Sequence, residues 1–264
     1  MRRRFFVEGF VDGTAVLRGE TAHHLGRVLR AEPGQLYELS DGESVWLART
    51  GSVGREEVHF SLVESLPVEV PPVRITLLLA IVKFDRFEWA IEKATELGAD
   101  EIVPLAAGRS EKGLLAAAAK RAARWERILL ESAQQARRLR APLLRELADP
   151  KIALRTVNAQ VRVMLSERAG VSAMRELLEL AVSHGRDDAP TTLAIAIGPE
   201  GGWTDAEFSA FQSSGFAEAA LGINILRTET AVCAALAAAQ YAFGASRQNR
   251  DVESQQPEAH KEQA

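Results

Sequence analysis

The sequence predicts an α/β protein: a parallel sheet with helices on both faces, preceded by a small β-barrel. Three observations carry the prediction. Several short extended segments crowd the first 66 residues, as in a small barrel. Residues 66–72, LPVEVPP, form a joint whose prolines disfavour a helix and stiffen the chain. From residue 73 onward, apolar strands alternate with amphipathic helices, and such crossovers imply a parallel sheet.

Within residues 1–68, RRFFV and TAVLRG read as strands. TAHHLGRVLR reads as a helix, with Thr21 as its N-cap and Leu25, Val28 and Leu29 on one face. LYELSDGESVWLAR alternates around Asp41-Gly42, a hairpin signal, and EVHFSLVES supplies another strand.

The second domain is placed at 73–244. VRITLLLAI (73–81) is nearly continuous in apolar residues, as a strand covered on both faces requires. FDRFEWAIEKATELG follows, with Phe87, Ile91, Ala94 and Leu97 at helical spacing and Gly98 as C-cap. DEIVPLA, VRVMLSE, TTLAIAI and AEAALG read as further strands. A long helix over 113–137, then SAMRELLELAVS, TDAEFSAFQSSG and TETAVCAALAAAQYAFG, read as helices. Residues 245–264 hold almost no large apolar side chain and are predicted to be a disordered tail.

Composition excludes several classes. Hydrophobic residues make up 47% and charged residues 26%, so a disordered or collagen-like chain is ruled out. No apolar run reaches the roughly 18 residues of a membrane span. MRRRFFVEGF meets Glu8 before any signal-peptide core develops. With Cys233 alone there is no internal disulfide, and a cytoplasmic setting is expected. His23, His24, His59, His184 and His260 show no zinc-ligand spacing, so no metal is predicted. The net charge of −4 argues against general coating of nucleic acid but leaves room for a local patch. Residues 120–145 are such a patch: eight Lys and Arg face only Glu126 and Glu131.

Three segments hold chemistry. In IAIGPEGGWTDAEF (195–208) a buried strand meets Gly198-Pro199-Glu200-Gly201-Gly202, and Thr204 with Glu207 forms a capping box for the next helix. Three glycines in five residues fit either a strand-to-helix turn needing positive φ or a loop whose backbone approaches a ligand. Neither G-x-x-x-x-G-K-[ST] nor an early G-x-G-x-x-G is present, which excludes the usual nucleotide loops. In ALGINILRTETAVCAA (220–235), Thr228 reads as an N-cap and Glu229 as a dipole-matched first-turn acid of an alanine-rich helix. In ESAQQARRLRAP (131–142), Arg137, Arg138 and Arg140 suit either a helix C-terminus or phosphate and base contacts.

GPEGG before a helix, followed by LG-x-x-ILRTETA, resembles the RsmE family, the 16S ribosomal RNA uracil-N3 methyltransferases of the SPOUT superfamily. MRRRFFV, HHLGRVLR (23–30), Lys83, EKATELG (92–98), Arg109-Ser110 and Gln135, Arg138, Arg140 and Pro142 extend the resemblance over about 2–244. Ile223 and Asn224 stand where the family usually has Pro-Arg; Gln134 replaces an acid and Arg137 a glycine.

The resemblance implies an N-terminal PUA-like RNA-binding barrel and a SPOUT domain whose chain end passes through a trefoil knot. It implies that S-adenosylmethionine is held by Gly198, Pro199, Glu200, Gly201 and Gly202 together with Leu221, Gly222, Ile225, Leu226, Arg227, Thr228, Glu229 and Thr230. Methylation at uracil N3 needs a cation for the developing anion and an acceptor for the proton. Arg138 is the first candidate cation and Arg227 the second; Glu200 and Glu229 are the candidate acceptors. The implied RNA footprint joins Arg2, Arg3, Arg4, Arg27 and Arg30 of the barrel to Lys83, Arg86, Arg137, Arg138 and Arg140. The partners implied are 16S rRNA or the small ribosomal subunit, and a second copy of the chain. The rival readings are a knotted methyltransferase acting on a ribose 2′-hydroxyl and a non-catalytic assembly factor.

Overall fold

Inward-facing apolar residues at period two build the first of two units. A computed structural model describes residues 3–168, 170–184 and 189–254, with side chains through Gly244. Arg2, one of the expected RNA contacts, lies outside them. The first unit comprises residues 1–70 with 127–142; the second comprises 71–126 with 143–264.

In the first unit, strands β1 (Arg4–Phe6), β2 (Thr14–Arg18), β3 (Leu36–Ser40), β4 (Val45–Val53) and β5 (Glu57–Leu66) form one sheet in the order β1-β3-β4-β5-β2. All neighbours are antiparallel except β1 and β3. The expected barrel is thus a curled half-barrel, with β1 and β2 as its edges. Phe5, Leu17, Leu25, Leu39, Val58 and Phe60 form its core. The Asp41-Gly42 hairpin is as expected: Gly42 takes φ 91°, and the Asp41 carboxylate accepts from the N–H groups of Glu43 and Ser44.

The helix predicted from Thr21 starts earlier. Gly19, at φ 67°, turns the chain straight out of β2 into α1 (Gly19–His23), so Thr21 is not the N-cap. One π turn, His24–Val28, follows, with the Leu29 N–H bonded to the His24 carbonyl. That change of winding leaves Leu25 buried but Val28 61% exposed, off the face that 3.6-residue spacing assigned to it.

The 127–142 segment was expected in the second domain, and it begins inside a helix. The predicted helix over 113–137 is broken: α3 (Lys112–Ala118) passes through a 3₁₀ turn, Ala119–Arg121, into α4 (Ala122–Gln135). Arg137 then takes φ 55°, a left-handed conformation that ends the helix two residues short of the predicted bound.

The second unit carries β6 (Val73–Ala80), α2 (Phe84–Glu96), β7 (Ala99–Leu105), β8 (Leu143–Leu144), α5 (Pro150–Thr156), β9 (Val161–Leu165), α6 (Met174–Ser183), β10 (Thr191–Ile197), α7 (Asp205–Ser213), β11 (Ala217–Ala219) and α8 (Thr228–Ser254). The strands pair wholly in parallel in the order β11-β9-β10-β6-β7-β8. Leu78, Ala80, Ala194 and Ala196 pack toward Ala153, Leu154, Phe208 and Phe211 of α5 and α7. Helices α2 and α8 pack together, and α8 also meets α6, β10 and β6. The sheet is thus covered on both faces, which is why its central strands are continuously apolar. β8 and α5 have no counterpart in the sequence reading, although Asp149 caps α5 and Pro150 opens it, an ordinary start signal. Helix α8 runs to Ser254, past the expected boundary at 245; residues 255–264 lie outside the described residues.

β10 and β6 are neighbours, but the chain leaves β10 toward β11 and leaves β6 toward β7, in opposite directions across the sheet. The carboxyl ends of such a pair are where open α/β sheets leave a crevice.

Candidate functional site

The glycine loop stands at the carboxyl end of β10. It lines a cleft of about 400 Å³ with the ends of β9 and β10, residues 166–168 and residues 221–226. The Pro199 carbonyl accepts from the Gly202 N–H at 2.8 Å, and Gly202 has φ 69°, so a tight turn closes the loop. A Cβ at Gly198 would sit 3.1 Å from the buried Trp203 indole, whose own N–H is bonded to the Leu165 carbonyl at 3.1 Å. At Gly201 a Cβ would meet the Arg109 side chain at 3.3 Å, and the Arg109 guanidinium donates to the Gly201 carbonyl at 2.7 Å. The loop therefore meets its neighbours through bare backbone at both positions.

Helix α7 is fixed just behind. Thr204 and Glu207 form the capping box expected from the sequence. The buried Glu207 also accepts from the Gly108 N–H at 2.7 Å, fastening residues 108–110 to the start of α7. Ser110 donates to the Ile81 carbonyl at 2.6 Å.

Thr228 does not cap α8. It lies inside the helix, buried, and its hydroxyl donates to the Gly198 carbonyl at 3.2 Å. The two segments singled out in the sequence are thus joined by one side chain. Ile225 is 78% exposed and lines the cleft with the exposed Gly222 and the half-buried Leu221 and Leu226. Arg227, just before α8, and Thr230, on its first turn, are exposed, and the Arg227 guanidinium has no partner among the described residues.

Glu200 and Glu229 are brought together by Arg86, which the sequence reading gave to RNA. The guanidinium donates to Glu200 at 2.8 Å and stands 3.8 Å from Glu229. The other Glu229 oxygen is buried with no hydrogen-bond partner among the described residues. Arg109 and Arg168 were missed as cleft residues, although Arg109-Ser110 belonged to the resemblance. Arg168 stacks 3.7 Å over Phe208 and pairs with Asp205 at 3.3 Å.

The remaining arginines of the expected RNA footprint lie in the first unit. Glu38, 3% exposed, is shared by Arg4, at 3.0 Å, and by Arg137, whose guanidinium meets both its oxygens. Arg140 is exposed and donates to the Gly42 carbonyl at 2.8 Å. Arg138 is half-buried, with its N–H on the Ala133 carbonyl. Arg3, Arg27 and Arg30 are exposed there, as is Lys83 at the start of α2 in the second unit. No group of three or more His, Cys, Asp or Glu among the described residues is placed to hold a metal ion. No helix among them is long and apolar enough to cross a membrane.

A glycine loop at the carboxyl edge of a parallel sheet, without phosphate-loop chemistry, narrows the class, and comparison with known proteins identifies it. Residues 69–240 match the RNA methyltransferase domain family, so the chain is an RNA methyltransferase by family. The ribosomal RNA small subunit methyltransferase E of Synechocystis is 32% identical over 232 residues, covering 87% of this chain and 74% of that protein. The Bacillus subtilis protein of the same name is 29% identical, covering 86% and 90%. The structure of the Neisseria gonorrhoeae methyltransferase E bound to S-adenosyl methionine superposes with TM-score 0.77 at 28% identity, covering 91% of this chain and 98% of that one. A putative methyltransferase from Legionella pneumophila, in complex with SAM, gives 0.79 at 29%, covering 92% and 98%. The chain belongs to the ribosomal RNA small subunit methyltransferase E family.

Proposed function

We propose that this chain transfers a methyl group from S-adenosylmethionine to N3 of a uridine in the 16S RNA of the small ribosomal subunit. The observation that carries the reading is the cleft itself. Gly198–Gly202 and residues 221–226 line the same space of about 400 Å³, and a glycine-rich lining of this kind suits a ligand read by backbone groups. S-adenosylmethionine carries no phosphate, which matches a glycine loop without a Walker lysine. Two relatives of similar fold are solved with that molecule bound.

Gly198–Gly202, Leu221, Gly222 and Ile225–Thr230 would hold the cofactor, with Leu221, Ile225 and Leu226 offering apolar cover to a base. When bound, it supplies an electrophilic methyl on a sulfonium. The chain must then relieve uracil N3 of its proton and steady the charge on O2 and O4. Arg227, exposed immediately before α8, and Arg138 are the candidates for the charge. Glu200 and Glu229 are the acceptors within reach of the glycine loop. A paired uracil hides N3, so the target base is taken unpaired or flipped out.

The rest of the reading is of the same kind. The first unit serves as a PUA-like RNA-binding module, with Arg3, Arg27, Arg30 and Arg140 as its exposed cations. The carboxyl-edge loops form a trefoil knot. The protein works in the cytoplasm as a homodimer that uses the alanine-rich α8, so light scattering should give twice the 28.8 kDa chain mass. Titration calorimetry with S-adenosylmethionine in EDTA is the first test: saturable binding is expected, and its absence would defeat the reading.

A further inference from the structure

We infer that Arg86 is a positioning residue of the cofactor site, clamping the glycine loop to the start of α8, and not an RNA contact. This rests on the reading of the cleft as the S-adenosylmethionine site. Three observations support it. The Arg86 guanidinium donates to Glu200, in the middle of the glycine loop, at 2.8 Å. It also stands 3.8 Å from Glu229, in the first turn of α8. Glu229 is the less exposed carboxylate, 14% against 43% for Glu200, and its second oxygen is buried without a donor.

The topology explains why an arginine on α2 is placed for this. β6 leads into α2 and β10 leads into the glycine loop, and the two strands are neighbours at the switch point. Residues 83–86 and 198–202 therefore emerge side by side. The Lys83 carbonyl takes the Arg86 and Phe87 N–H groups, which starts the helix and fixes where the Arg86 side chain leaves it. Thr228 already ties Gly198 to α8 from within the protein. Arg86 makes a second tie from the outer side, through charge.

A mostly buried carboxylate with an unmet oxygen depends on the nearest cation. Without Arg86, the Glu229 carboxylate loses its neighbouring guanidinium in a poorly solvated place, and Glu200 loses its anchor. Both loops lining the cleft then lose their fixed spacing, and the energy of ordering them falls on ligand binding. An arginine serving RNA would behave differently. Its loss would leave cofactor affinity alone and lower the salt dependence of RNA binding by about one unit per phosphate contact.

The test uses the full chain, with S-adenosylmethionine affinity read by calorimetry and affinity for a 16S rRNA fragment read at several salt concentrations. Arg86→Ala is expected to raise the cofactor Kd about tenfold, as loss of a charged hydrogen bond does. Arg86→Lys should recover little, because one ammonium cannot span both carboxylates as a planar fork does. Glu229→Gln added to Arg86→Ala should recover part of the affinity, since it removes the charge left stranded. Glu200→Gln alone, on the exposed side of the clamp, should raise Kd about threefold without touching the fold. The RNA salt slope should stay at its wild-type value throughout. Unchanged cofactor affinity in Arg86→Ala and Glu200→Gln, with a shallower RNA salt slope, would overturn the inference while leaving the site reading intact. A wild-type chain that does not bind the cofactor would overturn the site reading, and this inference with it.

Discussion

Arginines in the two units face carboxylates in opposite senses. In the first unit, Arg4 and Arg137 converge on one buried glutamate, Glu38, two cations to one anion. In the second, Arg86 stands between two carboxylates, Glu200 and Glu229, one cation to two anions. The first arrangement neutralises a charge that the half-barrel has buried. The second spans two loops at the edge of a cleft, where the geometry of those loops decides what binds. Positive charge in a sequence therefore does not by itself mark an RNA surface. What matters is whether each guanidinium already has an anion, and whether that anion belongs to the core or to a loop.

The contrast can be broken most severely at the loop. Gly198→Val places a branched Cβ against the rigid Trp203 indole, 3.1 Å away, and should weaken cofactor binding more than 100-fold, about 2.7 kcal/mol or more. Thermal melting checks that the first unit is untouched. At the other pole, Glu38→Ala removes the anion from between two guanidiniums. It should cost about 3 kcal/mol in denaturant unfolding, as breaking a buried pair does, while calorimetry finds cofactor affinity unchanged. If Glu38→Ala instead leaves stability intact, the first-unit arginines are not structural and return to the RNA footprint.

A sharper separation comes from the exposed arginines. Arg227→Lys keeps charge but loses the planar fork, so a role at the uracil oxygens predicts normal RNA binding with single-turnover methylation slower by up to about 100-fold. Arg140→Ala should leave turnover intact at saturating RNA and lower the salt slope of binding by about one unit. The smallest effect expected is at Asp41. Burial pushes its pKa up, but hydrogen bonds from the Ser44 and Glu43 backbone outweigh this and hold it below the usual carboxylate value. A lowered folded pKa stabilises above the unfolded value and is lost as pH falls through the folded one. Asp41→Asn should therefore lower Tm slightly at neutral pH, and the gap should close in acid.

Most of the fold was legible because periodicity and turn chemistry agreed. The apolar run at 73–81, the Asp41-Gly42 hairpin and the Thr204–Glu207 capping box each became what local rules require. The failures have physical causes. The π turn at His24–Val28 shifts winding without a compositional mark, so Val28 was given the wrong face. Thr228 looked like a cap because its type and position suited one; only the fold shows that its hydroxyl is spent on Gly198. Both glycine-bearing segments drew notice in the sequence and line one cleft, but Arg86 lies 114 residues before Glu200, and no spacing rule joins them. The positive φ at Arg137 has no signal in the residue type, since arginine carries no preference for it.

The central claim, that the cleft serves methylation of a uracil base, is tested most directly on the product. Small-subunit RNA incubated with the full chain and methyl-labelled S-adenosylmethionine would be digested to nucleosides and resolved by mass spectrometry. The account predicts label in N3-methyluridine, dependent on Gly198. Label in a 2′-O-methyl nucleoside, or none in RNA from a chain that binds the cofactor, would contradict it.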